Sequence, residues 1–175
     1  MFSSVTVFCG SKSGTNPLFI QQAIDLGGLL AKHSITLVYG GGKVGMMGAV
    51  ADACMENGGN VIGIIPEVLV EWEQQHKGIT ELKVVEDMHV RKKLLYELGE
   101  AAIILPGGNG TLDELFEMIT WNTLKIHEKK IFILNTDGYY NNLLAHLDTM
   151  KANGFLYEDW RERITVINEP KEIFK

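Results

Sequence analysis

Residues 106–114 read Pro-Gly-Gly-Asn-Gly-Thr-Leu-Asp-Glu and follow directly on the apolar run Ala101-Ala102-Ile103-Ile104-Leu105. A buried strand that ends in glycines and then opens a helix makes an anion site. Gly107, Gly108 and Gly110 let the main chain approach a ligand closely, and the free N–H groups around Asn109 to Leu112 can point at a phosphate with the positive end of the helix dipole behind them. Glu114 stands one turn further in, placed to touch a sugar. The same residues also meet a plainer need, since glycine suits any strand-to-helix turn and an early acidic residue stabilises the dipole by about 0.3–1 kcal/mol. Repetition favours the ligand. Leu37-Val38-Tyr39-Gly40-Gly41-Gly42-Lys43-Val44-Gly45 and Val5-Thr6-Val7-Phe8-Cys9-Gly10-Ser11-Lys12-Ser13-Gly14 are junctions of the same kind. Ligands of open α/β sheets bind beyond the carboxyl ends of the strands, so glycine turns at one sheet edge predict one shared cleft.

The elements that must position this cleft are legible as alternating patterns. Apolar runs predict strands near 4–9, 36–39, 60–65, 101–105, 130–135 and 164–167, with a weaker one near 82–85. Helical periodicity predicts helices near 17–32, 45–57, 89–98, 111–124, 139–153 and 169–174. Asn16 before Pro17 fits a cap followed by a first helical position, and Asn57-Gly58-Gly59 stops the second helix. Such alternation implies right-handed crossovers and a doubly wound, Rossmann-like parallel sheet in a single α/β domain spanning 1–175. The least regular stretch runs from Pro66 to Thr80, a long connection of the sort that serves sites.

Helical phase sharpens two points. In the helix from Thr111, the spacing predicts Leu112, Leu115, Phe116, Ile119 and Thr123 facing the sheet, with Glu114, Met118 and Trp121 on nearly the opposite side. Met and Trp together on an outer face invite a cover, either a second subunit or a loop of the same chain. In the helix from His89, Arg91 falls in the apolar stripe of Leu94, Leu95 and Leu98. A buried arginine needs an anionic partner, here a ligand phosphate or Glu114, unless its stem snorkels and the head reaches water.

Composition excludes several classes. A formal charge of −6 and a pI near 5.4 provide no basic field for nucleic acid. Cys9 and Cys54 lie far apart in apolar segments and read as reduced core thiols. His33, His76, His89, His127 and His146 show no metal-ligand spacing, so no metal is expected. No run approaches the length that spans a bilayer, and the chain enters its first strand without a leader pattern, so a cytoplasmic protein without membrane partners is expected. Gly40, Gly42 and Gly45 match a dinucleotide fingerprint, but they follow the second strand and Ile64-Ile65-Pro66 lacks the acidic residue that holds a ribose. Val44 follows Lys43 where a Walker loop needs Ser or Thr, and no nucleophile elbow is present, which leaves Ser11 and Ser13 as phosphate or turn hydroxyls.

With Pro106-Gly107-Gly108-Asn109-Gly110-Thr111-Leu112-Asp113-Glu114 and Asp87-Met88-His89-Val90-Arg91-Lys92 in view, the chain resembles the LOG (Lonely Guy) family of cytokinin riboside 5′-monophosphate phosphoribohydrolases, through the motifs PGGxGTxxE and MHxRK. The resemblance extends through Cys9-Gly10-Ser11, Tyr39-Gly40-Gly41-Gly42, Gly138-Tyr139-Tyr140-Asn141 and Gly154-Phe155. It implies a Rossmann-like homodimer that cleaves the N-glycosidic bond of AMP, or of AMP carrying an isoprenoid on its exocyclic amine, into base and ribose 5-phosphate, with no cofactor. By motif, Arg91 and Glu114 are the implied catalytic pair. Lys92, Gly108, Asn109, Gly110 and Thr111 surround the nucleotide, and Glu73 and Thr120 match further contacts. Ser11, Gly42, Met88, Gly107, Leu112 and Asp113 complete the expected substrate-binding positions. Some members carry an older label of lysine decarboxylase, but the sequence offers no independent sign of a pyridoxal phosphate site. Two residues depart from the family pattern: Asp113 stands where many members have Glu, and Lys12 replaces a small residue, where it can add a phosphate contact or alter base preference. The competing class is a non-catalytic nucleotide or molybdenum-cofactor carrier of similar fold, against which Arg91 and Glu114 together speak. An interaction module related to DNA-processing proteins is disfavoured by the acidic balance.

Overall fold

The computed structural model describes residues 2–70 and 74–174. Among these, seven strands alternate with five α-helices: β1 (Ser4–Phe8), α1 (Pro17–Lys32), β2 (Thr36–Tyr39), α2 (Gly45–Glu56), β3 (Val61–Pro66), β4 (Glu81–Val85), α3 (Met88–Leu98), β5 (Ala101–Ile104), α4 (Asn109–Thr123), β6 (Ile131–Leu134), α5 (Asn141–Ala152) and β7 (Ile164–Ile167). All strands pair in parallel in one sheet of order β4-β3-β2-β1-β5-β6-β7. The chain builds outward from β1 to β4, then returns to the other side of β1 with β5. The β1/β5 boundary is therefore the topological switch point, where a crevice opens beyond the strand ends.

Each face of the sheet has its own core. Leu26, Leu30, Val50 and Cys54 of α1 and α2 cover one side, and Leu95, Tyr96, Leu115 and Met118 of α3 and α4 cover the other. Strands buried on both faces must be apolar at nearly every position, which is why β5 and β6 are buried throughout. The helix starts are set locally. The Asn16 side chain accepts from the Leu18 N–H at 3.0 Å before Pro17 opens α1, and the Asp87 carboxylate accepts from the Val90 N–H at 2.9 Å at the start of α3. Cys9 and Cys54 are buried, and burial pushes the Cys54 thiol up to about 11. Among the described residues no helix is long and apolar enough to cross a membrane.

Two expectations need correction. The C-terminal segment Pro170–Phe174 is a 3-10 turn rather than an α-helix, a geometry suited to five residues that begin with a proline. More consequentially, α4 buries Thr111, Leu115, Met118 and Asn122, while Leu112, Phe116 and Ile119 are only partly covered. The helix is rotated from its predicted phase because it packs against α3 as well as against the sheet. Tyr96 of α3 meets the Trp121 ring edge-on at 4.8 Å and shares a core with Met118. Met118 is thus covered by the chain's own α3, while Trp121 is half-buried between Tyr96 of α3 and His127 of the loop that follows α4, whose ring lies 6.0 Å away.

Candidate functional site

A cavity of about 560 Å³ opens at the switch point, beyond the carboxyl ends of β1, β2 and β5. Its floor is the turn from β5 into α4, which is held from behind. The Gly10 N–H donates to the Pro106 carbonyl at 3.1 Å, and the Tyr139 hydroxyl donates to the Gly107 carbonyl at 2.6 Å. Both of these peptide bonds are trans, so each N–H lies opposite its carbonyl and these contacts turn the Gly107 and Gly108 N–H groups away from their anchors. Tyr140 fixes the next carbonyl back, donating to Leu105 at 2.6 Å, and burial raises its phenol pKa. That hydroxyl stays a donor. Asn135 in turn accepts from the Tyr140 N–H at 2.8 Å.

The glycines of this turn differ in what they leave room for. A Cβ on Gly107 would lie 2.1 Å from the Thr111 hydroxyl and 2.9 Å from the Gly10 nitrogen, so close packing requires this glycine. A Cβ on Gly108 or Gly110 would meet nothing within 4 Å. No packing within the chain demands glycine there. Gly108 is also the N-cap of α4 and offers no side chain to the first N–H groups of the helix. The result is an uncapped helix N-terminus facing open space, the arrangement that binds phosphate.

Charged side chains complete the wall. Arg91 is 5% exposed, and its Nη2 donates to the Gly40 carbonyl at 3.1 Å while Nη1 approaches the Met88 sulfur at 3.9 Å. A Cβ on Gly40 would fall 2.4 Å from that Nη2, so the residue after β2 must be glycine for the arginine to lie where it does. Lys92 sits between Asp113 at 2.6 Å and Glu117 at 2.9 Å, and Glu117 accepts from the Tyr96 hydroxyl at 2.7 Å. Burial alone would lower the Lys92 pKa, but the hydrogen bonds and charges of Asp113 and Glu117 outweigh it and lift the ammonium above its usual range. This cluster clamps α3 to α4. Arg91 and Glu114, each the chain neighbour of a clamped residue, thereby line the same cavity.

Of the positions expected from sequence, Ser11, Met88, Arg91, Lys92, Gly107, Gly108, Asn109, Gly110, Thr111, Asp113 and Glu114 come together around the cavity. Leu112 lies outside the lining on the partly covered side of α4, and the exposed Thr120 donates its hydroxyl to the Phe116 carbonyl at 2.7 Å. Gly42 is buried and bridges to Gln75, likewise outside the lining. Glu73 lies outside the described residues. His89 is exposed away from the cavity, and His76 is paired with Asp52 at 2.8 Å. Among the described residues no group of three or more His, Cys, Asp or Glu side chains could hold a metal ion.

Gly40 lines the cavity, as a glycine turn opening on a shared cleft should, whereas Phe19, Leu69, Met46, Met47 and Tyr139 are lining residues that the sequence did not single out. Tyr139 meets Phe19 edge-on at 5.4 Å on one wall, and the methionines and Leu69 give the cavity an apolar part. The Gly138-Tyr139-Tyr140-Asn141 segment was visible as a motif, but the carbonyls its hydroxyls hold lie 32 and 35 residues away. The arrangement as a whole offers main-chain donors for an anion, a carboxylate, a buried guanidinium and an apolar chamber.

A family model described as "possible lysine decarboxylase" matches residues 47–175. A cytokinin riboside 5′-monophosphate phosphoribohydrolase of Rhodococcoides fascians is 44% identical over 167 residues, covering 95% of this chain and 84% of the relative. A protein of the same description from Arabidopsis thaliana is 44% identical over 174 residues, covering 99% of this chain and 81% of the relative. Among solved structures, the molybdenum cofactor carrier protein of Chlamydomonas reinhardtii superposes with a TM-score of 0.74 at 18% identity, over 99% of this chain and 94% of that one. The molybdenum cofactor binding protein of Rippkaea orientalis gives 0.75 at 20% identity, over 99% and 94%. At such identities these structures establish the shared fold alone.

Proposed function

Since the chain belongs to the family of cytokinin riboside 5′-monophosphate phosphoribohydrolases, we propose that it hydrolyses the N-glycosidic bond of a nucleoside 5′-monophosphate, AMP or its isoprenoid derivatives, to an adenine-type base and ribose 5-phosphate. The observation that carries this reading is the open space over Gly108 and Gly110 at an uncapped helix start, in one cavity with Glu114 and Arg91. The phosphate takes the N–H groups from Gly108 to Thr111. Arg91 is anchored beyond β2, two strands away from the β5 turn, or roughly 10 Å at the usual strand spacing. That span suits a nucleotide with its phosphate at α4 and its base beside Arg91, Met88 and the apolar chamber.

Glycosidic cleavage builds positive charge on the ribose, and a carboxylate near the anomeric carbon stabilises that charge more in the transition state than in the ground state. Glu114 fills this role and orients the attacking water. As the water oxygen bonds to the anomeric carbon, the base nitrogen leaves with the bonding electrons, and one water proton ends on the base. Arg91 donates a hydrogen bond to the departing base as it gains electron density. Hydrolysis balances with water as the only co-reactant. A decarboxylase acting through a lysine Schiff base would need a neutral amine, whereas the clamp holds Lys92 as an ammonium.

We also assign a homodimer, since Leu112, Phe116 and Ile119 leave a partly exposed apolar flank on α4 that continues into Leu124 and Ile126, which are 63% and 61% exposed. Light scattering on the eluting protein tests it, and a monomeric mass refutes it. The acidic charge and the two buried thiols fit a cytoplasmic enzyme without nucleic-acid partners. The reaction itself is tested by incubating the pure protein with AMP and isopentenyl-AMP and separating the products. Free base and ribose 5-phosphate in equal amounts are expected. Binding without turnover supports a carrier instead.

A further inference from the structure

Among the described residues, three cationic side chains line the cavity: Lys12, Arg91 and Lys92. Two of them are committed within the protein, Arg91 to the Gly40 carbonyl and Lys92 to Asp113 and Glu117. Lys12 is exposed and, among the described residues, forms no ion pair or hydrogen bond. Its backbone is nevertheless held firmly. A Cβ on Gly45, whose φ is +63°, would lie 2.4 Å from the Ser11 carbonyl oxygen and 2.7 Å from the Lys12 nitrogen, so the start of α2 packs flush against this loop. On its other side, Gly10 donates to Pro106, and a Cβ on Gly10 would sit 3.2 Å from the Lys12 carbonyl oxygen and 3.3 Å from the Gly107 Cα. The loop that bears Lys12 is therefore braced against the very turn that forms the anion cradle.

We propose that Lys12 is a phosphate-binding, specificity-determining residue, whose ammonium closes over the 5′-phosphate from the β1 loop while the N–H groups at the start of α4 hold it from below. This rests on the reading of the preceding subsection. In a chain of net charge −6, an exposed cation at the cavity adds a local attraction that the overall charge opposes. It acts only on phosphorylated ligands. Lys12 thus separates nucleoside monophosphates from the corresponding nucleosides, and charge rather than shape is what it contributes.

The test is calorimetric binding of ribose 5-phosphate and AMP, set beside adenosine, to the wild-type protein, Lys12→Gln and Lys12→Arg, with steady-state kinetics on AMP. Lys12→Gln should weaken both phosphorylated ligands about tenfold, the worth of one charge-assisted hydrogen bond. The loss should appear in KM for AMP rather than in kcat, shrink in high salt, and be largely restored by Lys12→Arg. Adenosine affinity should not follow it. Equal ribose 5-phosphate affinity in wild type and Lys12→Gln overturns the proposal while leaving the cradle intact. Failure of the wild-type protein to bind ribose 5-phosphate overturns the site itself, and Lys12's role with it.

Discussion

A methyl group at position 110 should make this protein more stable and less able to bind its substrate. Gly110 occupies the first turn of α4, where a Cβ would meet nothing within 4 Å. Replacing a helical glycine by alanine removes backbone entropy from the unfolded chain, and with no clash to offset it Gly110→Ala should stabilise by about 0.5–1 kcal/mol. For a chain of this size that raises Tm by roughly 1–4 °C. If the empty space is where phosphate sits, the methyl displaces it from the helix N–H groups. Losing one such charge-assisted hydrogen bond costs about 1.5–3 kcal/mol, or roughly 10- to 150-fold in affinity. Gly107→Ala supplies the opposite sign. Its Cβ would lie 2.1 Å from Thr111 and 2.9 Å from Gly10, and overpacking of this kind costs about 1–3 kcal/mol. Thermal melts and AMP titrations of both variants decide the matter. A stabilised Gly110→Ala protein that binds AMP as well as wild type does would refute the idea that the space above the helix is reserved for a ligand.

Other residues give equally direct expectations. Gly40→Ala should keep the fold yet push the Arg91 guanidinium from its seat, because the new Cβ would fall 2.4 Å from Nη2 and 3.0 Å from the Met47 sulfur; activity on AMP should drop at least tenfold, about 1.4 kcal/mol, and melting should show an overpacking cost of about 1–3 kcal/mol. Tyr139→Phe keeps the ring against Phe19 but frees the Gly107 carbonyl, so KM for AMP should rise several-fold, with a stability loss of about 1 kcal/mol or less by melting. Hydrogen bonds from Arg161 and Trp160 hold the Asp148 carboxyl below its ordinary 3.8. A depressed carboxylate pKa means that its contribution to stability is present above that ordinary value and is lost as pH falls through the lower folded value. Asp148→Asn should therefore lower Tm at pH 7, and the difference from wild type should close only as pH falls below the ordinary carboxylate value and through the lowered folded one.

Much of this was legible in the chain because it is local. A parallel sheet buried on both faces writes its strands as short unbroken apolar runs, and Asn16-Pro17 marks the start of α1 with its own cap chemistry. Arg91 in an apolar stripe announced a buried charge, and it is buried. What failed to show was set by distant partners. The rotation of α4 depends on Tyr96 packing against Trp121 from another helix, which no periodicity within α4 encodes. Lys92 lines the cavity as its motif leads one to expect, but its engagement by two carboxylates one helix away is not written in that motif. Gly40 and Tyr139 matter for a guanidinium and a carbonyl 51 and 32 residues distant, so their roles exist only once the sheet is assembled.

The most direct test of the central claim is a crystal structure of Glu114→Gln soaked with AMP, a substitution that keeps the side chain's size while removing the charge that drives cleavage. The account predicts an intact nucleotide with its phosphate on the N–H groups from Gly108 to Thr111, its anomeric carbon beside position 114 and its base toward Arg91. A nucleotide bound in the reverse sense, with phosphate at Arg91 and base at the glycine turn, would contradict it.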